Sequence, residues 1–248
     1  MDIQSPNNST HEDKYTSSDP DAEKSKEYWS QVEPTVNGML GGFSRIQGID
    51  IDGSKKFLEH FFIARKNNGR NTTEDSRKVM NRCIDCGAGI GRIAKHLLLR
   101  FSDQVDLLEQ NKTFLDRSRD YIGQDNRIVE RYCSSLQDFL PEKDYDCVWL
   151  QWVTGYLTDR QLTDFLTRMS RRLSQNGIIV VKDNTTRGDE EDNDMSDSSV
   201  TRPKKLLLEI FKKASLEVLL EKRQLKMPRG LYPVFMFALR PKNISQES

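Results

Sequence analysis

The amino-acid sequence predicts an α/β fold: a seven-stranded, mostly parallel sheet with helices on both faces, an antiparallel hairpin at one edge, and a helical N-terminal extension. Three observations carry this. From Val79 onward, short apolar runs alternate with segments of helical spacing, the pattern of parallel strands joined by crossover helices. A glycine cluster, "CGAGIGR" at residues 86–92, falls between the first such strand and the first helix. The last two strands, in "LEVLLEKRQ" and "LYPVFMFALR", follow one another with no helix between them, so they are expected to pair antiparallel.

The elements follow in order. Residues 1–22 hold almost no large apolar side chain and read as a disordered tail, leaving 23–248 as one domain. Within it, 23–64 form a helical cap and 79–241 the sheet core. "KEYWSQVEPTVNGMLGGF" and "DGSKKFLEHFF" are helical and apolar on one side, and should lie across the C-terminal edge of the sheet, where open α/β sheets bind ligands. Residues 64–78 read as a polar surface loop. "VMNRCIDC", "QVDLLEQ", "RIVERYCS", "YDCVWLQW" and "IIVVKD" read as strands. "RIAKHLLLRF" is a helix with Ile93, Ala94, Leu97 and Leu98 on one face, and "KTFLDRSRDYI" is the next. "TDRQLTDFLTRMSRRLSQNG" is the clearest helix. Thr158 and Gln161 fit a capping box, Leu162, Phe165, Leu166, Met169 and Leu173 form its buried stripe, and Asn176-Gly177 is expected to end it. "RPKKLLLEIFKKA" is a helix with Pro203 near its first turn. Residues 185–199 read as an acidic loop with six carboxylates.

Composition narrows the function classes. With 248 residues the chain can bury roughly 70% of its unfolded surface and needs no disulfide or metal to hold a core. Lys+Arg and Asp+Glu are both 38, which argues against direct nucleic-acid binding through bulk positive charge. No run approaches the roughly 20 apolar residues of a membrane span, and the polar N-terminus is unlike a signal peptide. We expect a soluble protein of a reducing compartment. The sequence carries no signal of oligomeric state.

The glycine turn indicates a ligand. Gly87, Gly89 and Gly91 can supply positive φ and close backbone approach. A dinucleotide fingerprint, GxGxxG, requires glycine at position 92, where the chain has arginine. Glu109 ends the second strand about 20 residues later, where an acidic side chain takes ribose hydroxyls. Arg92 offers a partner for a carboxylate. A ribose plus a carboxylate without a diphosphate describes S-adenosyl-L-methionine. Cys83 and Cys86 are spaced CxxC but lie within a buried strand, and Cys133 and Cys147 come singly from other strands without paired histidines. Zinc and redox pairs need a knuckle or a helix start. We therefore expect no metal, and all four cysteines buried as small apolar residues.

Longer strings add a resemblance: "YWSQVEPTVNGMLGG", "DCGAGIGRI", "LQDF", "QWVTGYLTD", "NGIIVVKDN" and "DSSV". Over roughly residues 26–241 the chain resembles the protein N-terminal methyltransferases, class I S-adenosylmethionine-dependent enzymes with a Rossmann-like fold that act on the α-amine of X-Pro-Lys/Arg termini. The resemblance implies cofactor contacts at Gly87, Arg92, Glu109, Gln110, Asn111, Leu136, Gln137 and Gln151. It implies substrate contacts at Trp29, Leu40, Trp152, Asn184, Asp194, Asp197 and Tyr232, and residence in cytoplasm and nucleus. Trp29 and Trp152 can wall the proline and the amine. Asn184 can hold the first carbonyl. Asp194 and Asp197 can pair with the basic third residue. The family usually has histidine where this chain has Tyr156. With Asn184 and Tyr156 as the other catalytic candidates, Asp197 is expected to accept the amine's proton, and the transfer is expected to be slower but real. Two rival readings remain: a small-molecule N-methyltransferase, which needs a closed pocket, and a cofactor-binding adaptor with little activity.

Overall fold

The structure is a computed structural model that describes residues 19–65 and 78–242. Three helices come first: α1 (Ala22–Gln31), α2 (Val36–Met39) and α3 (Gln47–Leu58). The core then runs β1 (Met80–Cys86), α4 (Arg92–His96), β2 (Ser102–Glu109), α5 (Lys112–Ile122), β3 (Ile128–Cys133) and β4 (Tyr145–Gln151). After these come α6 (Asp159–Ser170), β5 (Leu173–Asn184), β6 (Asp192–Asp194), β7 (Ser199–Thr201), α7 (Lys204–Lys213), β8 (Leu216–Arg223) and β9 (Val234–Pro241).

The main sheet has seven strands in the order β3-β2-β1-β4-β5-β9-β8. The five strands from β3 to β5 are parallel, and β9 runs antiparallel to both β5 and β8. This is the predicted architecture, and the strand-to-strand hairpin at the edge is where the sequence placed it. The strand order reverses between β1 and β4, so the crevice at their C-terminal ends is the natural ligand site.

Alternation along the strands divides the core into two layers. Cys83 and Cys147 pack with Phe57 and Leu58 of α3, whereas Ile84, Cys86 and Val148 pack with Leu162 and Phe165 of α6. Cys83 and Cys86 therefore point to opposite faces of the sheet and form no pair. Burial pushes both thiols up. Among the described residues, no cluster of His, Cys, Asp and Glu is placed to hold a metal ion. Cys133 departs from the expectation. It is exposed at the end of the outermost parallel strand, which has no neighbouring strand on that side among the described residues. Among the described residues, no helix is long and apolar enough to cross a membrane.

Several boundaries also differ. The expected tail, 1–22, lies mostly outside the described residues, as do 66–77 of the expected loop. The tail's last residues lie inside: Asp21 caps α1, accepting from Glu23 and Lys24 N–H, and the helix begins at Ala22. The capping box of α6 is present, with Thr158 and Gln161 exchanging bonds. That helix stops at Ser170, however, and Leu173 already pairs with Tyr145 in β5. Asn176 and Gly177 lie within β5, next to a register irregularity against β4. A Cβ on Gly177 would meet the Tyr145 carbonyl oxygen at 2.6 Å. The glycine thus serves strand contact rather than helix termination. The "RIAKHLLLRF" helix breaks after His96 into a 3-10 turn at Leu98–Arg100. The acidic loop forms most of the β6–β7 hairpin, which runs on to Thr201 and which no apolar run announced.

Candidate active site

The end of β1 turns sharply through Gly87, Gly89 and Gly91, whose φ angles are +72°, +55° and +81°, values that ordinary side chains resist. The turn is pinned from β2. Gly89 N–H donates to Glu109 Oε2 at 2.8 Å, and Asn111 N–H donates to Oε1 at 2.8 Å. Glu109 is 8% exposed, and burial pushes its carboxyl up. Asp85, at the last inward position of β1, is pushed up to about 7 by burial, although it accepts the Ala94 N–H.

Above this turn lies a cavity of about 1030 Å³ of empty space, partly open to solvent. Gly87, Arg92, Glu109, Gln110, Leu136, Gln137 and Gln151 line it, as does Trp29 from α1. Seven of the eight predicted cofactor residues are thus brought together. The eighth, Asn111, lies behind the wall. It caps α5 through its side-chain oxygen and donates from Nδ2 to the Trp29 carbonyl at 3.1 Å, tying the cap to β2. Arg92 is not free. It is 5% exposed, donates to Asp50 Oδ2 at 2.6 Å, and lies 5.5 Å from the Trp152 ring.

A second cavity adjoins the first, lined by Trp152, Tyr156, Asn184, Asp194, Asp197 and Tyr232, with Asp183 and Asp192. Trp152 and Tyr156 line both cavities, so they mark the passage between them. Trp152 follows β4 at φ +54°, a conformation that costs about 1–3 kcal/mol for a non-glycine residue. Its backbone N–H is anchored on the Lys182 carbonyl at 3.0 Å, while its buried indole Nε1 has no hydrogen-bond partner among the described residues. Tyr156 donates its hydroxyl proton to Asp197 Oδ2 at 2.7 Å, and its ring meets Trp29 edge-on at 5.9 Å. Burial, and then Asp197, push the phenol well above its ordinary value. Asp197 Oδ1 accepts the Ser199 N–H at 3.0 Å. Asp194 is held below the usual carboxylate range by two donors from Ser196. Tyr232 donates to Asp192.

Leu40 is not brought into either wall. It is buried, and its neighbour Met39 lines the first cavity instead. Residues that sequence reasoning missed include Asp85, Asp183 and Ser25. Asp183 is buried, accepts from Thr154 N–H and Oγ1 and from Asn184 N–H, and is pushed up by burial. Ser25 Oγ donates to the Asp197 carbonyl at 2.9 Å, so α1 is pinned to the acidic hairpin. The acid in "IDCGAG" was a signal for Asp85; Ser25 had none. The second cavity's acidic wall, Asp192–Asp194, is an exposed hairpin rather than a closed shell, which disfavours a pocket built to enclose a small molecule.

Comparison with known proteins points the same way. Residues 18–240 match the family described as AdoMet dependent proline di-methyltransferase. N-terminal Xaa-Pro-Lys N-methyltransferase 1 of Homo sapiens is 45% identical over 220 residues, covering 88% of this chain and 94% of the relative. N-terminal Xaa-Pro-Lys N-methyltransferase 1-A of Xenopus laevis is 44% identical over the same shares. A SAM-dependent methyltransferase of Leishmania major superposes with a TM-score of 0.77 at 33% identity, over 88% of this chain and 82% of that one. The phosphoethanolamine N-methyltransferase 1 of Haemonchus contortus shares the fold alone, with a TM-score of 0.68 at 16% identity over 92% of this chain and 50% of that one.

Proposed function

Because the chain belongs to the AdoMet dependent proline di-methyltransferase family, we propose that it uses S-adenosyl-L-methionine to methylate the α-amine of protein N-termini of the X-Pro-Lys/Arg type. The observation that carries this is the pair of adjoining cavities that share Trp152 and Tyr156, the second walled by carboxylates. The residues of the first cavity fit the cofactor. Two buried carboxylates, Asp85 and Glu109, suit a ligand with ribose hydroxyls and cationic groups. Arg92 and the amide of Gln151 suit a carboxylate, and Phe114 and Leu136 offer apolar faces for a flat ring. When bound, the cofactor supplies an electrophilic methyl group on a sulfonium.

The rest falls to the chain. The amine must lose its proton to be a nucleophile, and its free pKa of about 7.7–8.0 leaves a useful neutral fraction at neutral pH. Tyr156 has committed its proton to Asp197, and its oxygen, which the Trp29 indole also faces, has a second lone pair to accept an N–H. One proton can pass from the amine to Tyr156 as the tyrosine's own passes to Asp197. Asp197 ends protonated and Tyr156 unchanged. Trp152 and Trp29 present aromatic faces to the terminus, Asn184 offers an amide to the first carbonyl, and Asp194 and Asp192 offer negative charge to a basic third residue. Positioning and desolvation supply most of the acceleration.

The test is transfer of labelled methyl to a Ser-Pro-Lys peptide, its Ser-Gln-Lys variant and an amine-blocked Ser-Pro-Lys. Label on the first alone is expected. Label on none, with cofactor bound, would favour an adaptor, and label on small amines instead would favour the small-molecule reading.

A further inference from the structure

We infer that Asp50, on the cap helix α3, is a positioning residue for the amino-acid end of the cofactor. Asp50 is fully buried and lines neither cavity, yet its carboxylate holds two groups that line the first. Oδ2 accepts from Arg92 Nη1 at 2.6 Å, and Oδ1 accepts from Gln151 Nε2 at 2.8 Å. Among the described residues this is the one hydrogen bond of the Arg92 guanidinium, so its other N–H groups remain for a ligand. Trp149 Nε1 fixes the other end of the Gln151 amide by donating to Oε1 at 3.2 Å, which sets which amide atom faces Asp50.

The charge of Asp50 is met from behind. Lys182, also fully buried, lies 2.5 Å from Asp50 Oδ1 and donates to the Asp50 carbonyl, Ser54 Oγ and Gln224 Oε1 at 2.8–3.0 Å. A carboxylate oxygen, a carbonyl and an amide oxygen are all pure acceptors, so the lysine is an ammonium. α3 is shaped for this cluster: a Cβ on Gly53 would meet Gln224 Oε1 at 2.0 Å. With Lys182 neutralising Asp50, the trio keeps one net positive charge, and Arg92 is the member on the cavity wall. A buried anion that orients an arginine while a second cation cancels it leaves a fixed, directed donor for a carboxylate. The inference rests on the cofactor assignment and not on the peptide assignment.

The discriminating experiment compares two ligands by calorimetry. S-adenosylhomocysteine has the amino-acid end; 5′-methylthioadenosine lacks it. Asp50→Asn/Lys182→Met keeps the cluster's net charge and removes the anchor. S-adenosylhomocysteine is expected to lose affinity by about tenfold or more, the scale of a charge-assisted hydrogen bond, while methylthioadenosine binding is unchanged. Equal losses for both ligands, or no loss for either, would overturn the inference. Where the double variant does not melt cooperatively, Asp50→Glu is read by the same ratio, and failure of both to fold assigns Asp50 a structural role and overturns the inference. A wild-type protein that binds neither ligand would instead sink the cofactor assignment.

Discussion

Tyr156 stands where the family that the chain resembles usually has histidine. Its phenol is pushed well up by burial and by Asp197, so it stays protonated at neutral pH and cannot itself be the base. Under the proposed function Asp197 takes that role. Asp197→Asn is expected to lower kcat about 10²-fold or more, the usual worth of general-base help, with little change in peptide KM. Unchanged kcat sinks the assignment. The same logic fixes the pH profile. Wild-type kcat/KM should rise with pH alongside the free substrate amine, at about 7.7–8.0, with no lower limb from an imidazole. Tyr156→His should raise kcat at pH 7 and add a limb near the imidazole's ordinary value of about 6.5. A variant no faster than wild type would show that the phenol relay is not limiting. At this scale much was legible. Glu109 and the glycines are local to one βαβ unit, so spacing alone placed them. Asp50 and Lys182 were not legible, because they meet across 132 positions of sequence and follow no local pattern.

At the scale of elements, α1 and the β6–β7 hairpin act together. Ser25 Oγ holds the Asp197 carbonyl, and Asp21 N–H holds Ser198 Oγ at 2.8 Å, with Ser198 at φ +56°. Helix α1 also carries Trp29 into the wall of the first cavity. Ser25→Ala removes one hydrogen bond, worth about 1 kcal/mol. The expected result is a severalfold rise in peptide KM with S-adenosylhomocysteine affinity unchanged, and steady-state kinetics with calorimetry checks it. The hairpin escaped sequence reasoning because Asp and Asn have low strand propensity. Its pairing comes from Asp192 with Thr201 and Asp194 with Ser199. Leu173 was misplaced for the opposite reason: it continues the helical stripe of α6 by coincidence, and only its pairing with Tyr145 puts it in β5.

At the scale of the molecule, the site burdens stability. Burial pushes Asp85, Glu109 and Asp183 up. For Asp85 the folded value is about 7, against roughly 3.9 in the unfolded chain. Between those values the native state holds more protons, so this contribution is fully present below about pH 4 and is lost as pH rises through about 7. Asp85→Asn should therefore raise the Tm of the cofactor-free protein at pH 7.5 and much less at pH 4.5. Equal shifts at both would contradict the burial argument. The mostly parallel sheet and its edge hairpin were legible from the succession of elements alone, because connection rules leave few topologies for such a chain; the strand order came from the structure.

The central claim is that the α-amine of an X-Pro-Lys terminus is the methyl acceptor. Incubation of a Ser-Pro-Lys peptide with S-adenosyl-L-methionine, followed by fragmentation mass spectrometry, locates the added methyl. The account predicts it on the N-terminal residue alone, and absent when proline is replaced by glutamine. Methylation of the lysine side chain, or of both peptides equally, would contradict it.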